Sequence, residues 1–291
     1  MKTISKRKLL NYGFVMSLLA VALANFAIFF VYINFDSIML AFQVGNGEFG
    51  LDNFRMLFAD FANPLSVINQ ALKNTMIFFA FSMLVQFPLS VLLSYFIFRK
   101  IPLYKFFRVV FFLPSLISAV VLVNVYTYTV QGPLTDFLSL FMEDVPYFFS
   151  NSDYTLWMIV IFVIWSGFGI NILLFSGAMS RVPIEVIEYG RMEGVGFFQE
   201  LVLIMIPLVW PTMSTVIVLG CVGIFNSSGP ILLFTQGRYD TYTISYWIYE
   251  QTMEASYEYA SAVGLFFTCV GLPIVLCVRW LTNKVLEDVE Y

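Results

Sequence analysis

The chain contains no histidine. That removes the commonest general base and the commonest metal ligand, and with them zinc-hydrolase and histidine-based hydrolytic chemistry. Charge is scarce as well: 12% of residues are Asp, Glu, Lys or Arg, against about a quarter in ordinary soluble domains. The three cysteines, Cys221, Cys269 and Cys277, all fall inside apolar runs, which suits buried free thiols better than a disulfide framework. No GxxxxGK[ST] occurs, so no P-loop ATP site is expected in this chain. Neither a catalytic cluster nor a metal-ligand cluster stands out. A pI near 4.9 argues against a nucleic-acid partner. The short alternating segments of a membrane β-barrel are missing too.

What remains is apolar. Hydrophobic residues make up 60% of the 291, and mean hydropathy is +0.84. Several runs reach the ~20 residues that a helix needs to cross a bilayer. The runs predict six membrane helices at about 9–33, 74–98, 106–130, 154–179, 201–225 and 257–281. The segment Ala22-Leu23-Ala24 resembles a signal-peptidase site, but the apolar run continues unbroken to Val31, so a retained first span is expected. That span is rich in Phe and Leu and reads as a lipid-facing or clasping helix. Pro88 falls within the second span, where proline kinks a helix, and Pro114 falls within the third.

Basic residues set the orientation. Lys2, Lys6, Arg7 and Lys8 precede the first span, and Arg99, Lys100, Lys105 and Arg108 join the second and third. Arg181 and Arg191 join the fourth and fifth, and Arg279 and Lys284 close the sixth. Together these are twelve of the 15 Lys and Arg, leaving Arg55, Lys73 and Arg238 opposite. Positive charge stays in the cytoplasm. Both termini and the 180–200 loop are therefore expected on the cytoplasmic side of the membrane, in a multi-pass all-α protein.

The stretch from Pro183 to Pro211 carries Glu185, Glu188, Glu193 and Glu200 between two long apolar runs. Pro183 is tolerated in a first helical turn, and Gly190, Gly194 and Gly196 then permit a sharp bend. A bent, acidic, partly helical loop at a membrane surface reads as a docking element; the alternative is a solvated connection.

Inside the spans, ionisable groups are nearly absent, which argues against a proton- or sodium-coupled carrier. The polar residues there are neutral: Asn124, Tyr126 and Tyr128 in the third span, Trp165, Ser166 and Asn171 in the fourth, and Asn226, Ser227 and Ser228 at the end of the fifth. Amides, hydroxyls and aromatic faces suit sugars, which offer hydroxyls to bond and CH faces to stack upon. Each could equally hydrogen-bond a neighbouring helix.

Glu188-Tyr189-Gly190, then Gly194, then Ile204-Met205-Ile206-Pro207 resembles the Glu-Ala-Ala loop of binding-protein-dependent ABC importer permeases. Glu188, Gly194, Ile204 and Pro207 match its spacing. Tyr189-Gly190 replaces the two alanines, and Ile206 replaces a leucine. GLDNFRMLF, KNTMIF, FFRVVFFLPSLIS, IWSGFGINILLFSGAM and YASAVGL resemble segments of the carbohydrate-uptake branch. FFLPSLIS and the tail EDVEY are most similar to its first membrane subunit, as in maltose and glycerol-phosphate importers, without the large extracytoplasmic insertion of the enterobacterial maltose subunit.

The resemblance implies a single permease domain over 1–291 with the type I ABC importer fold. It implies a translocation subunit without enzyme activity, moving a carbohydrate, an oligosaccharide in the first instance, into the cytoplasm. Glu185, Glu188, Gly190, Glu193, Gly194 and Pro207 would couple it to an ATPase. The chain itself would bind no cofactor, ATP and Mg being held by the ATPase. Its partners would be a second homologous permease, two ATPase subunits, an extracytoplasmic solute-binding protein, the sugar and the lipid bilayer. A self-sufficient secondary carrier or channel is the alternative.

Overall fold

The computed structural model describes residues 6–45, 47–225 and 230–285, with side chains from Phe14 onward. Lys2, the residues Asn226, Ser227 and Ser228, and the EDVEY tail lie outside the described residues.

Apolar helices dominate, as the run lengths predict. Five are long and apolar enough to cross a membrane: α1 (Phe14–Phe42), α3 (Val67–Phe98), α6 (Ser152–Met179), α8 (Phe197–Val222) and α10 (Tyr257–Val285). A sixth is a bent pair, α4 (Tyr104–Leu116) and α5 (Ala119–Ser139). Shorter helices are α2 (Asp52–Ala62), α7 (Ile184–Met192) and α9 (Ile244–Met253). The one strand pair among the described residues is β1 (Gln43–Val44) with β2 (Glu48–Phe49), antiparallel, Gln43 opposite Phe49.

Several boundaries differ from the sequence expectation for local reasons. The first span continues past residue 33 to Phe42, and the helix crosses Ala22-Leu23-Ala24 without a break. The second starts at Val67 because Ser66 caps it, its Oγ accepting from the Asn69 N–H at 3.3 Å, a serine's usual role at a helix start. The fourth is capped by Asn151, whose side chain accepts from the Asp153 N–H at 2.8 Å.

The third span needs a correction: it is not one helix over 106–130. Its two halves meet at 114°, at the extended residues Ile117 (ψ 142) and Ser118 (ψ 136). Pro114 sits inside α4, before the break. Helical structure continues through Ser139, into the segment expected to be loop.

Four stretches within the spans are wound as π-helix: Phe26–Tyr32, Ser82–Gln86, Val130–Leu134 and Glu200–Met205. Those at Ser82–Gln86 and Glu200–Met205 immediately precede Pro88 and Pro207, which stand at the first positions of the α-helical turns that follow. A proline supplies no N–H to the ladder, and a widened turn is one way a helix absorbs that loss.

The chain divides into two compact units: residues 1–59 with 250–266, and residues 60–249 with 267–291. In the first, Asn53 ties α2 to the segment before it, its Nδ2 donating to the carbonyls of Ala41 (3.1 Å) and Gln43 (2.8 Å). From Phe14 to Met39 every side chain of α1 is exposed. The second unit contains the larger core. One cluster joins Val91 and Tyr95 of α3, Phe175 and Met179 of α6, Ile187 of α7, and Leu201, Met205, Val209 and Met213 of α8. This cluster positions the candidate site.

Candidate functional site

The loop after α6 folds as the sequence leads one to expect, and its details show how it is held. Pro183 (φ −58, ψ 132) precedes α7, which carries Glu185 in its first turn and Arg191 in its last. Both charges complement the helix dipole. Ile187 is fully buried in the α3/α6/α8 cluster, so one side chain nails the helix down. Glu185, Glu188, Tyr189, Met192 and Glu193 remain exposed. Their spacing of three and four residues places most of them on one helix face. The result is an acidic surface with apolar Tyr189 and Met192, 66% and 72% exposed, standing free beside a rigid anchor.

α7 stops at a Schellman turn. The Gly194 N–H donates to the Arg191 carbonyl and the Val195 N–H to the Gly190 carbonyl, both at 3.0 Å. Gly194 itself has φ +80, the left-handed conformation in which glycine carries no steric penalty. Gly190 serves differently. A Cβ built there would lie 2.5 Å from Ile204 Cδ1, so α7 lies close against α8 at this point and a side chain would require that methyl to move. The Tyr189-Gly190 pair thus keeps the close approach while exposing a phenol. The chain then re-enters a helix at Phe197, with the Gly196 N–H donating to Gln199 Oε1 at 2.9 Å.

Glu200 departs from the expectation of four acids in one polar segment. It is buried, with 2% of its side chain exposed, in the first turns of α8. Arg99, just beyond the C-terminus of α3, reaches both of its oxygens through Nη1, at 3.3 Å to Oε1 and 3.1 Å to Oε2. Arg191 of α7 meets Oε2 through Nε at 3.3 Å. Phe197 belongs to the same knot: its ring lies 5.4 Å under the Arg99 guanidinium, and its carbonyl accepts from the Tyr95 hydroxyl at 3.0 Å. Glu200, Arg99, Arg191 and Tyr95 were not singled out as site residues in the sequence. The available signal was a carboxylate set directly against the apolar run LVLIMI, where an acid calls for a named partner.

The residues proposed for a sugar path are scattered by comparison. The Tyr126 hydroxyl donates to the Met158 carbonyl at 3.0 Å, and its ring packs among Phe149, Phe162, Trp165 and Phe234. Tyr126 and Trp165 are therefore brought together, stacked at 6.3 Å, inside an aromatic cluster. Asn124 and Tyr128 are exposed on α5, and Ser166 and Asn171 are half-buried on α6. Asn226, Ser227 and Ser228 lie outside the described residues. Among the described residues no group of His, Cys, Asp and Glu has the arrangement to hold a metal ion.

Comparison with known proteins agrees with this architecture. Over residues 86–287 the chain matches the family described as "Binding-protein-dependent transport system inner membrane component". It is 26% identical over 281 residues to the polygalacturonan/rhamnogalacturonan transport system permease protein YteP of Bacillus subtilis, covering 90% of this chain and 85% of that one. To the sn-glycerol-3-phosphate transport system permease protein UgpA of Escherichia coli it is 25% identical, covering 81% of each. Among solved structures, a bacterial ABC transporter involved in import of the acidic polysaccharide alginate has a chain that superposes with a TM-score of 0.81 at 24% identity, covering 97% of this chain and 98% of that one. A second alginate transporter structure, in complex with an alginate pentasaccharide-bound periplasmic protein, superposes at 0.84 with 22% identity, covering 99% of this chain and all of that one. At such identities the superpositions speak for the fold. With a family match across more than half its length, the chain belongs to the inner membrane components of binding-protein-dependent transport systems.

Proposed function

We propose that this chain is a translocation subunit of an ATP-driven carbohydrate importer, and that α7 is the part an ATPase grips. The observation that carries the reading is the combination in α7 of an exposed acidic face with a buried anchor. Glu185, Glu188 and Glu193 face outward, while Ile187 is sealed into the core of three spans. A helix so placed can pass a push from outside directly to the spans. The basic-residue bias supports a cytoplasmic position for it, where ATP is available.

In this reading ATP and Mg belong to two partner ATPase subunits. A second homologous permease completes the pore, and an extracytoplasmic solute-binding protein delivers the solute. ATPase closure rocks the spans between inward- and outward-facing arrangements. Carbohydrate as the solute draws support from the named cargo of the relatives, which includes polygalacturonan and rhamnogalacturonan for YteP and arabinooligosaccharides for AraP of Bacillus subtilis. Neutral groups such as Asn124, Tyr128, Trp165 and Asn171 are the candidates to line its route.

Reversing the charge at Glu188 (Glu188→Lys) tests the docking face. Glu188 lies outside the core, so the variant should reach the membrane at normal levels, fail to co-purify with the ATPase and lose uptake. Unchanged co-purification together with unchanged ATP-dependent uptake would dismiss α7 as the docking element. Uptake that persists without the ATPase would favour a self-sufficient carrier.

A further inference from the structure

The exposed acids of α7 account for gripping. They do not account for how a displacement of α7 reaches the spans. Ile187 holds α7 against the spans through apolar contact, which by itself sets no direction for a push. Glu200 does something different. Its one carboxylate is shared between Arg191 on α7, at 3.3 Å, and Arg99 at the end of α3, at 3.1 Å, and it sits at the head of α8. Three elements meet in it.

Stability alone is a poor reason for such an arrangement. Taking a carboxylate out of water is costly, and apolar residues of similar volume commonly hold a core as well as or better than a buried ion pair. Charge-assisted hydrogen bonds add distance and direction. The links are also unequal. α3 and α8 are tied twice, through Arg99 with Glu200 and through the Tyr95 hydroxyl with the Phe197 carbonyl. In this knot α7 is joined by Arg191 alone, 46% of whose side chain is exposed.

We propose that Glu200 is a positioning residue that relays displacement of α7 to α3 and α8 as a pair, with Arg191 as its detachable link. The inference rests on the coupling role assigned to α7 and names the residues through which that role acts. It separates gripping, by Glu185, Glu188 and Glu193, from transmission, by Arg191, Glu200 and Arg99.

The test uses the whole importer, purified with its ATPase, and ATP plus vanadate as the probe. A nitroxide is attached to Leu219→Cys, a position 61% exposed toward the far end of α8, in a background with Cys221, Cys269 and Cys277 changed to serine. Its spectrum is compared with ADP and with ATP plus vanadate. Arg191→Gln leaves Glu200 paired with Arg99 and should fold and keep its ATPase. In it the ATP-driven change at the label should fall by about two- to thirty-fold in population, the range expected for residues along a coupling route. Glu200→Gln should behave likewise, and Arg191→Lys should recover much of the response because it restores the charge.

A full response in Arg191→Gln would overturn the proposal. So would an Arg191→Lys variant as silent as Arg191→Gln, since packing rather than charge would then be at issue. Failure of the underlying coupling role looks different: the unsubstituted complex would itself show no ATP-driven change at the label.

Discussion

α3 secures a loop at each end, and by opposite means. At its C-terminal end the fastening is ionic: Arg99 and Arg191 converge on the buried Glu200. Near its N-terminal end the fastening is neutral and made to backbone. Asn74 Nδ2 donates to the carbonyls of Asp240 (2.7 Å) and Tyr242 (2.8 Å). The Thr75 hydroxyl accepts from the Ile244 N–H at 3.0 Å, and the Thr235 and Thr241 hydroxyls bond at 2.6 Å. Between them the backbone is left-handed at Gln236, Gly237, Tyr239 and Asp240 (φ 52, 77, 57 and 59).

The difference is instructive. Bonds to backbone atoms hold one chain conformation, even an uncomfortable one, and stabilise it whatever side chains the loop presents. Such strain persists only where the surroundings over-determine it. A shared carboxylate holds no loop shape. It fixes the relation of three helices, and each arginine's share of it is lost when that helix withdraws. The first device suits a surface that must keep its form; the second suits parts that must move together.

Disabling each fastening sharpens the contrast. The largest effect is expected from Arg99→Leu combined with Arg191→Leu. This leaves Glu200 buried without a counter-charge and should destabilise by about 3–5 kcal/mol, read as a lowered unfolding midpoint of the detergent-solubilised protein. Asn74→Ala should cost less, about 1–3 kcal/mol for carbonyls left without their donor. Its effect should be local: amide exchange should quicken across residues 235–243 while the α7 turn stays protected. Equal loosening of both regions would mean that the two ends of α3 are not independent. Gly194→Ala should have the smallest effect, about 1–2 kcal/mol for a left-handed residue with a Cβ, appearing as fraying of the last turn of α7.

The fold was largely legible because a bilayer demands long apolar runs, and the runs at 154–179 and 257–281 nearly coincide with α6 and α10. Ends were harder to read. Ser66 is a modest capping signal in a mixed segment, and Asp36 and Ser37 look like loop residues although the first helix carries them to Phe42. The 114° break in the third span was not legible at all. FFLPSLISAVVLV offers only Pro114 as punctuation, and the chain turns after it, at Ile117 and Ser118.

The site divides the same way. The exposure of Glu188 and the left-handed turn at Gly194 were legible because they are local, whereas the close approach of Gly190 to Ile204 was not, the sequence offering that glycine only as part of a bend. Glu200 stood apart only by its place against an apolar run, and its partners could not be read from that. One of its partners is 101 positions away in the chain, and a carboxylate's burial is decided by what folds over it. Tyr126 illustrates the converse. Its hydroxyl looked free for a ligand until the Met158 carbonyl was seen to accept it.

The π-helical winding of Glu200–Met205 has a mechanical corollary. A widened turn holds one surplus residue relative to an α-helix, and expelling it would advance everything upstream by one position, about 100° around the axis. Such a step would turn the Glu200 carboxylate away from the Arg99 guanidinium, which stands at the end of a different span. The Arg99–Glu200 pair therefore favours the widened winding of α8 over a regular one.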